Sequence, residues 1–202
     1  MTKVKICGLT REEDIDIVNR ERPDYVGFVF AKSKRQVDRD TARRLKGLLN
    51  KEVKAVGVFV NSTMEEVNDI AEYCQIDIIQ LHGNETPQMC KQASREVWKA
   101  FRIQNQQSLY RLKEYQVDGY LLDAYHQQNF GGTGTAFDWS LCKDICLEKQ
   151  IILAGGITPD NVERAVILSN VQIIDVSSGV ETNGIKDLHK IKTLLERVRR
   201  IG

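Results

Sequence analysis

The sequence predicts an α/β protein, a compact (βα)8 TIM barrel of eight parallel strands with an abbreviated helix between strands five and six. Three observations lead there. Short β-branched runs recur at fairly even intervals, and most are followed by a longer segment of helical period. The positions at or just after the ends of the runs are enriched in polar and glycine residues, where those before them are apolar. Eight such runs in one chain favour a sheet closed on itself over an open one.

Taken in order, the first run, 4–7, ends on Cys7 and leads into a helix over 11–20, with Thr10-Arg11-Glu12-Glu13 reading as a capping box. The second strand, 25–30, gives way to a basic loop and a helix over 41–49. The third, 53–60, precedes a helix over 64–73, and the fourth, 76–82, one over 86–94. Strands five (97–102) and six (119–123) are separated at 105–116 by room for only about one and a half to three helical turns. The seventh strand, 151–154, is followed by a helix over 161–168, and the eighth, 173–177, by one over 187–199. The short fifth connection is how 202 residues hold a fold that usually takes about 250. Only three prolines occur and no Pro/Gly/Ser linker divides the chain, so residues 1–202 read as one domain.

Composition excludes several classes of function. Of the residues, 42% are hydrophobic and 28% charged, as in an ordinary globular domain. With 29 Lys and Arg against 28 Asp and Glu, the formal charge is +1, which argues against nucleic-acid or membrane-surface partners. Any basic site must be local. Five cysteines without CxxC spacing argue against a disulfide framework or structural metal, and fit reduced thiols in a cytoplasmic protein. No stretch approaches the roughly 18 apolar residues of a membrane span, and the basic N-terminus lacks a signal-type apolar core, so the mature protein is expected to start at Met1.

In such barrels the site is built where strands end, at their C-terminal face. Strand seven runs into Gly155-Gly156 and strand eight into Ser177-Ser178-Gly179; paired glycines admit backbone N–H groups close to an anion, and hydroxyls extend the nest. One glycine cluster alone would be a turn, but two on adjacent strands at one face predict a phosphate grip. The GGTG run at 131–134 is placed to close over the same group. Cys7 sits before a helix N-terminus, a setting that lowers a thiol pKa and favours thiolate. Cys74, Cys90, Cys142 and Cys146 fall in helical segments and read as small buried hydrophobes.

Asp123 closes the apolar run Gly119-Tyr120-Leu121-Leu122 and must be hydrogen-bonded there or have a raised pKa, which would suit a general acid. Period-two alternation places Lys5 on the face of Cys7, Gln80 on that of His82 and Asp175 on that of Ser177, predicting a polar layer beneath the site. His82 is the one histidine at a strand end. Arg35, in Lys32-Ser33-Lys34-Arg35, offers a guanidinium fork for a substrate carboxylate, while Lys32 and Lys34 read as solvated charges.

The segments KICGLTR (5–11), GVFVN (57–61), QLHGNE (80–85), LLDA (121–124), GGTGTAFDW (131–139), LAGGI (153–157) and DVSSGVE (175–181) together resemble phosphoribosylanthranilate isomerases, and the resemblance runs end to end. It implies an aldose-to-ketose isomerase of tryptophan biosynthesis. That enzyme performs an Amadori rearrangement of N-(5′-phosphoribosyl)anthranilate to 1-(2-carboxyphenylamino)-1-deoxyribulose 5-phosphate, without metal or organic cofactor. It also implies Asp123 as general acid and Cys7 as general base. Arg35, His82 and Asp175 would be substrate-binding, with Gly155, Gly156, Ser177, Ser178 and Gly179 on the phosphate. The partner is then a small phosphoribosyl compound, and the protein a monomer or homodimer. The sequence departs from the family at Ser33-Lys34-Arg35, where Ser-Pro-Arg is usual, and at Thr135, where Lys is common. Two alternatives stand beside this reading. A histidine-pathway aminoaldose isomerase of the same fold should carry aspartates ending strands one and five, where Cys7 and Phe101-Arg102 stand; a non-catalytic phosphosugar-binding barrel should have lost Cys7 or Asp123.

Overall fold

The structure is a computed structural model and describes residues 1–103, 106–124, 139–142, 145 and 149–201. Eight parallel strands close into a barrel in chain order: β1 (Lys3–Cys7), β2 (Tyr25–Val29), β3 (Lys54–Phe59), β4 (Ile78–Leu81), β5 (Glu96–Ile103), β6 (Gly119–Ala124), β7 (Gln150–Ala154) and β8 (Ile173–Val176). β8 pairs back onto β1, with Lys5 beside Asp175. The strands are apolar nearly throughout because both faces are buried. Inward-facing Tyr25, Val56, Ile78, Trp98, Leu121, Ile152 and Ile173 plug the barrel, with Trp98 edge-on to Tyr25 at 5.0 Å.

Outside, helices α1 (Glu12–Glu21), α2 (Arg39–Leu48), α3 (Met64–Tyr73), α4 (Pro87–Cys90), α5 (Val162–Ser169) and α6 (Leu188–Ile201) bury one face each, for example Ile191, Leu194, Leu195 and Val198 of α6. The fifth connection is the abbreviated one expected, a 3₁₀ stretch over Gln106–Glu114. α4 is shorter than the sequence suggests. Thr86 caps it and Pro87 starts it, but Asn68 of α3 then accepts from the Ser94 N–H and donates to the Gln92 carbonyl, occupying backbone groups that a longer helix would use. After β8 come a 3₁₀ turn (Ser178–Val180) and a two-stranded hairpin, β9 (Glu181–Thr182) with β10 (Ile185–Lys186), which no sequence pattern announced. The GGTG run, Thr135 and Cys146 lie outside the described residues. Cys74, Cys90 and Cys142 are buried, as the helical pattern indicated.

Candidate active site

Strand parity turns Lys5 and Cys7 of β1 into the barrel, and Cys7 closes the strand at its C-terminal mouth. Gly27 of β2 lies opposite, and a Cβ there would stand 2.7 Å from the Cys7 sulfur, so the thiol occupies space that only a glycine neighbour leaves. Burial pushes the Cys7 thiol above its ordinary pKa; the Lys5 ammonium pulls the other way and Asp175 adds to the rise. This corrects the lowered pKa expected from a helix N-terminus. α1 begins only at Glu12, and its capping is also different from the Thr10–Glu13 box. The Asp14 carboxylate accepts the Thr10 and Arg11 N–H groups at 3.0 and 3.2 Å, so the positive end of the helix is spent on that carboxylate.

Beneath the mouth the predicted polar layer forms a continuous line. Lys5 Nζ donates to Gln80 Oε1 at 2.9 Å and to Asp175 Oδ2 at 3.0 Å, all three side chains being buried. Burial works against the Lys5 ammonium, yet Asp175 and Cys7 outweigh it and hold its pKa above the usual lysine value. Gln80 Nε2 lies 3.0 Å from His82 Nδ1, and His82 Nε2 lies 3.3 Å from Asp123 Oδ2. One line of hydrogen bonds thus runs from Asp175 through Lys5, Gln80 and His82 to Asp123, and the Cys7 thiol lies within electrostatic reach of its Lys5 end. Asp175 Oδ1 is buried and finds no hydrogen-bond partner among the described residues.

Arg35 is more constrained than a basic loop suggested. Its Nε and Nη2 donate to the two oxygens of Glu181 at 2.6 and 2.7 Å, and its stem lies over Gly8, next to Cys7. Ser33 sets the loop's path without the usual proline, its hydroxyl accepting from the Arg35 N–H at 3.1 Å. Lys186 Nζ also donates to Glu181, at 2.7 Å, and to the Ser177 carbonyl. Burial alone would raise the pKa of Glu181, but hydrogen bonds from Arg35 and Lys186 outweigh it and bring its carboxyl from 4.5 down to about 2. Lys32 and Lys34 are exposed, as read from the sequence.

Glu181 is thus a site-building residue that sequence reasoning missed. Glu181→Gln is expected to cost about 3 kcal/mol, because it leaves two cations beside a neutral amide in a buried place. Since the folded pKa lies below the unfolded one, that stabilisation is present above about pH 4.5 and fades as pH falls toward 2. The Tm difference between wild type and Glu181→Gln, followed by calorimetry, should narrow on acidification.

At the ends of β7 and β8 the glycines take backbone paths that side chains would obstruct. Gly155 and Gly156 take φ of +90° and +66°, backbone that L side chains rarely adopt. A Cβ on Gly179 would stand 1.8 Å from the Ile157 carbonyl oxygen, so the two loops approach more closely than any side chain permits. Asn161 braces the first loop, accepting from the Thr158 N–H and donating to the Gly156 carbonyl. The N–H groups of Gly155, Gly156, Ser178 and Gly179 meet no acceptor among the described residues, which leaves a cradle of donors. Ser177 departs from the simple picture: its hydroxyl donates to the Cys7 carbonyl at 3.0 Å and so fastens the thiol's strand.

Across the barrel, a cavity of about 410 Å³ opens between the ends of β3, β4 and β5, lined by His82, Ala100, Arg102, Arg111 and Tyr115 among others. Its wall is stiffened by the buried Lys99–Glu85 pair at 3.1 Å; Glu85 also accepts the N–H groups of Asn61 and Gly83.

Fold and mouth together define a (βα)8-barrel protein with a thiol, an imidazole and carboxyl groups facing a pair of glycine-rich loops that offer backbone N–H groups free among the described residues. Residues 4–197 match the family described as N-(5′-phosphoribosyl)anthranilate (PRA) isomerase. The N-(5′-phosphoribosyl)anthranilate isomerase of Thermoanaerobacter sp. strain X514 is 48% identical over the full length of both chains. A crystal structure of the Thermotoga maritima phosphoribosyl anthranilate isomerase superposes with a TM-score of 0.90 at 37% identity, covering 99% of this chain and 100% of that one. Another superposes at 0.85 and 35% identity over the same shares; it shows phosphoribosyl anthranilate isomerase in complex with reduced 1-(o-carboxyphenylamino)-1-deoxyribulose 5-phosphate. The chain belongs to the phosphoribosylanthranilate isomerase family.

Proposed function

We propose that this chain converts N-(5′-phosphoribosyl)anthranilate into 1-(2-carboxyphenylamino)-1-deoxyribulose 5-phosphate by acid–base catalysis. The observation that carries the reading is the placement of the Cys7 thiol beside Lys5 and of the Asp123 carboxyl at the other end of the polar line that starts from Lys5, at the same mouth as the glycine cradle. Family membership supplies the identity of the substrate.

The phosphate sits on the N–H groups around Gly155, Gly156, Ser178 and Gly179, with Ser177 holding the neighbouring strand in place. Asp123 protonates the furanose ring oxygen, the ring opens, and the C1′–N bond becomes a protonated imine. That cation acidifies the C2′–H bond beside it. Cys7 as thiolate removes the C2′ proton, with Lys5 supplying the nearby positive charge that favours ionisation of an otherwise buried thiol. The resulting enolamine tautomerises to the ketose. The unpartnered Asp175 Oδ1 is assigned to a substrate hydroxyl. His82 supports Asp123, and Arg35 gives the N–H groups beyond those held by Glu181 to the carboxylate. β3–β5 lie across the closed barrel from β7 and β8, so the cavity there has room for the aryl end of a substrate anchored by its phosphate. We place the reaction in the cytoplasm, where cysteines without disulfide spacing stay reduced.

The test is direct. Purified protein should consume phosphoribosylanthranilate, followed by loss of its fluorescence, without added metal or cofactor. A wild type with no turnover on this substrate would overturn the proposal.

A further inference from the structure

We propose that Gln80 is a positioning residue that decides which nitrogen of His82 carries its proton, and through His82 which oxygen of Asp123 is left to face substrate. The inference rests on the reading of Asp123 as the general acid.

It follows from an inventory of donors along the buried line. A lysine ammonium has three N–H donors and no acceptor, so only an oxygen of Gln80 can face Lys5, as Oε1 does at 2.9 Å. The reversed amide would set an NH₂ group against an ammonium, in a place where both side chains are cut off from water. With the oxygen committed, the Gln80 Nε2–H group is the one that meets His82 Nδ1 at 3.0 Å. Nδ1 must then be the bare, accepting nitrogen. A proton on it would point at another donor, and this excludes both the Nδ1–H tautomer and the doubly protonated ring in this arrangement.

The His82 proton is therefore on Nε2, which donates to Asp123 Oδ2 at 3.3 Å. Every N–H from Lys5 to Asp123 points the same way. Two consequences follow for the acid. Oδ2 is occupied as an acceptor, so the transferable proton of Asp123 resides on Oδ1, the oxygen left for the substrate. When Oδ1–H breaks and the proton passes to the ring oxygen, the carboxylate left behind already holds an N–H bond on Oδ2, which stabilises the charge as it forms.

Ring ¹⁵N–¹H correlation spectra test this on the intact protein, whose three histidines make the His82 signal assignable as the one missing from His82→Gln. Wild type should show His82 as the neutral Nε2–H tautomer. Gln80→Glu keeps the shape and the contact with Lys5 but cannot donate to Nδ1. Its His82 should carry its proton on Nδ1 and leave Nε2 bare toward Asp123, and kcat should fall about a hundredfold while KM changes little. A wild-type Nδ1–H tautomer overturns the inference and needs no variant. So does a Gln80→Glu protein that gains the Nδ1 proton yet turns over normally, or one whose loss lies only in KM. Asp123→Asn separates the two layers. If that variant keeps normal turnover, the acid assignment fails and this inference with it. If it loses turnover while wild-type His82 carries Nδ1–H, only the inference fails.

Discussion

Asp123→Asn is expected to lower kcat by at least about a hundredfold and as much as about ten-thousandfold, with KM and Tm close to wild type. The asparagine fills the same volume, and its amide oxygen still accepts from His82 where Oδ2 did at 3.3 Å. What it lacks is an ionisable O–H. The NH₂ group that replaces it can hydrogen-bond to a ring oxygen but cannot deliver a proton to it, so ring opening loses its acid while binding persists. Steady-state kinetics by substrate fluorescence, with circular dichroism to confirm the fold, measure both. Turnover within about threefold of wild type would remove Asp123 from the mechanism.

A loss of similar size is expected for Cys7→Ala, with a different signature. The substitution leaves the Lys5, Gln80 and Asp175 contacts in place and removes only a sulfur from a buried pocket. Ring opening by Asp123 can still occur, but transfer of the C2′ proton stops. The variant should therefore fail to exchange that position with deuterated solvent under conditions where wild type washes it out. Exchange at the wild-type rate in Cys7→Ala would show that another group is the base. Because burial holds the free thiol above its ordinary pKa, the thiolate absorbance lost in Cys7→Ala should grow in wild type only as pH rises past the usual thiol range.

How far the sequence could be read depended on whether a property is local. The strands were legible because a barrel buried on both faces demands short, largely apolar runs such as Val4-Lys5-Ile6-Cys7 and Ile151-Ile152-Leu153-Ala154. Parity alone placed Lys5, Gln80 and Asp175 in one layer, since alternation along a strand fixes which face a side chain takes. The electrostatics of Cys7 were not legible. They depend on the burial of the thiol by the closed barrel and on Asp175 standing at β8, relations between segments far apart in the chain. Glu181 escaped notice for the same reason, since a short hairpin carries too little periodicity to announce itself and its partner Arg35 lies 146 residues away. α4 was read too long because Asn68 belongs to another helix.

The pairing of β8 with β1 has a consequence for how the molecule comes into being. Everything that conditions the thiol from the far end arrives in one late stretch of chain: Asp175 for Lys5, the Ser177 hydroxyl for the Cys7 carbonyl, Glu181 and Lys186 for Arg35. A growing polypeptide can lay down Gln80, His82 and Asp123 along β4 and β6 before the partners of β1 on β8 and the hairpin have been made. The surroundings of the proposed base are thus completed only when the first and final strands meet.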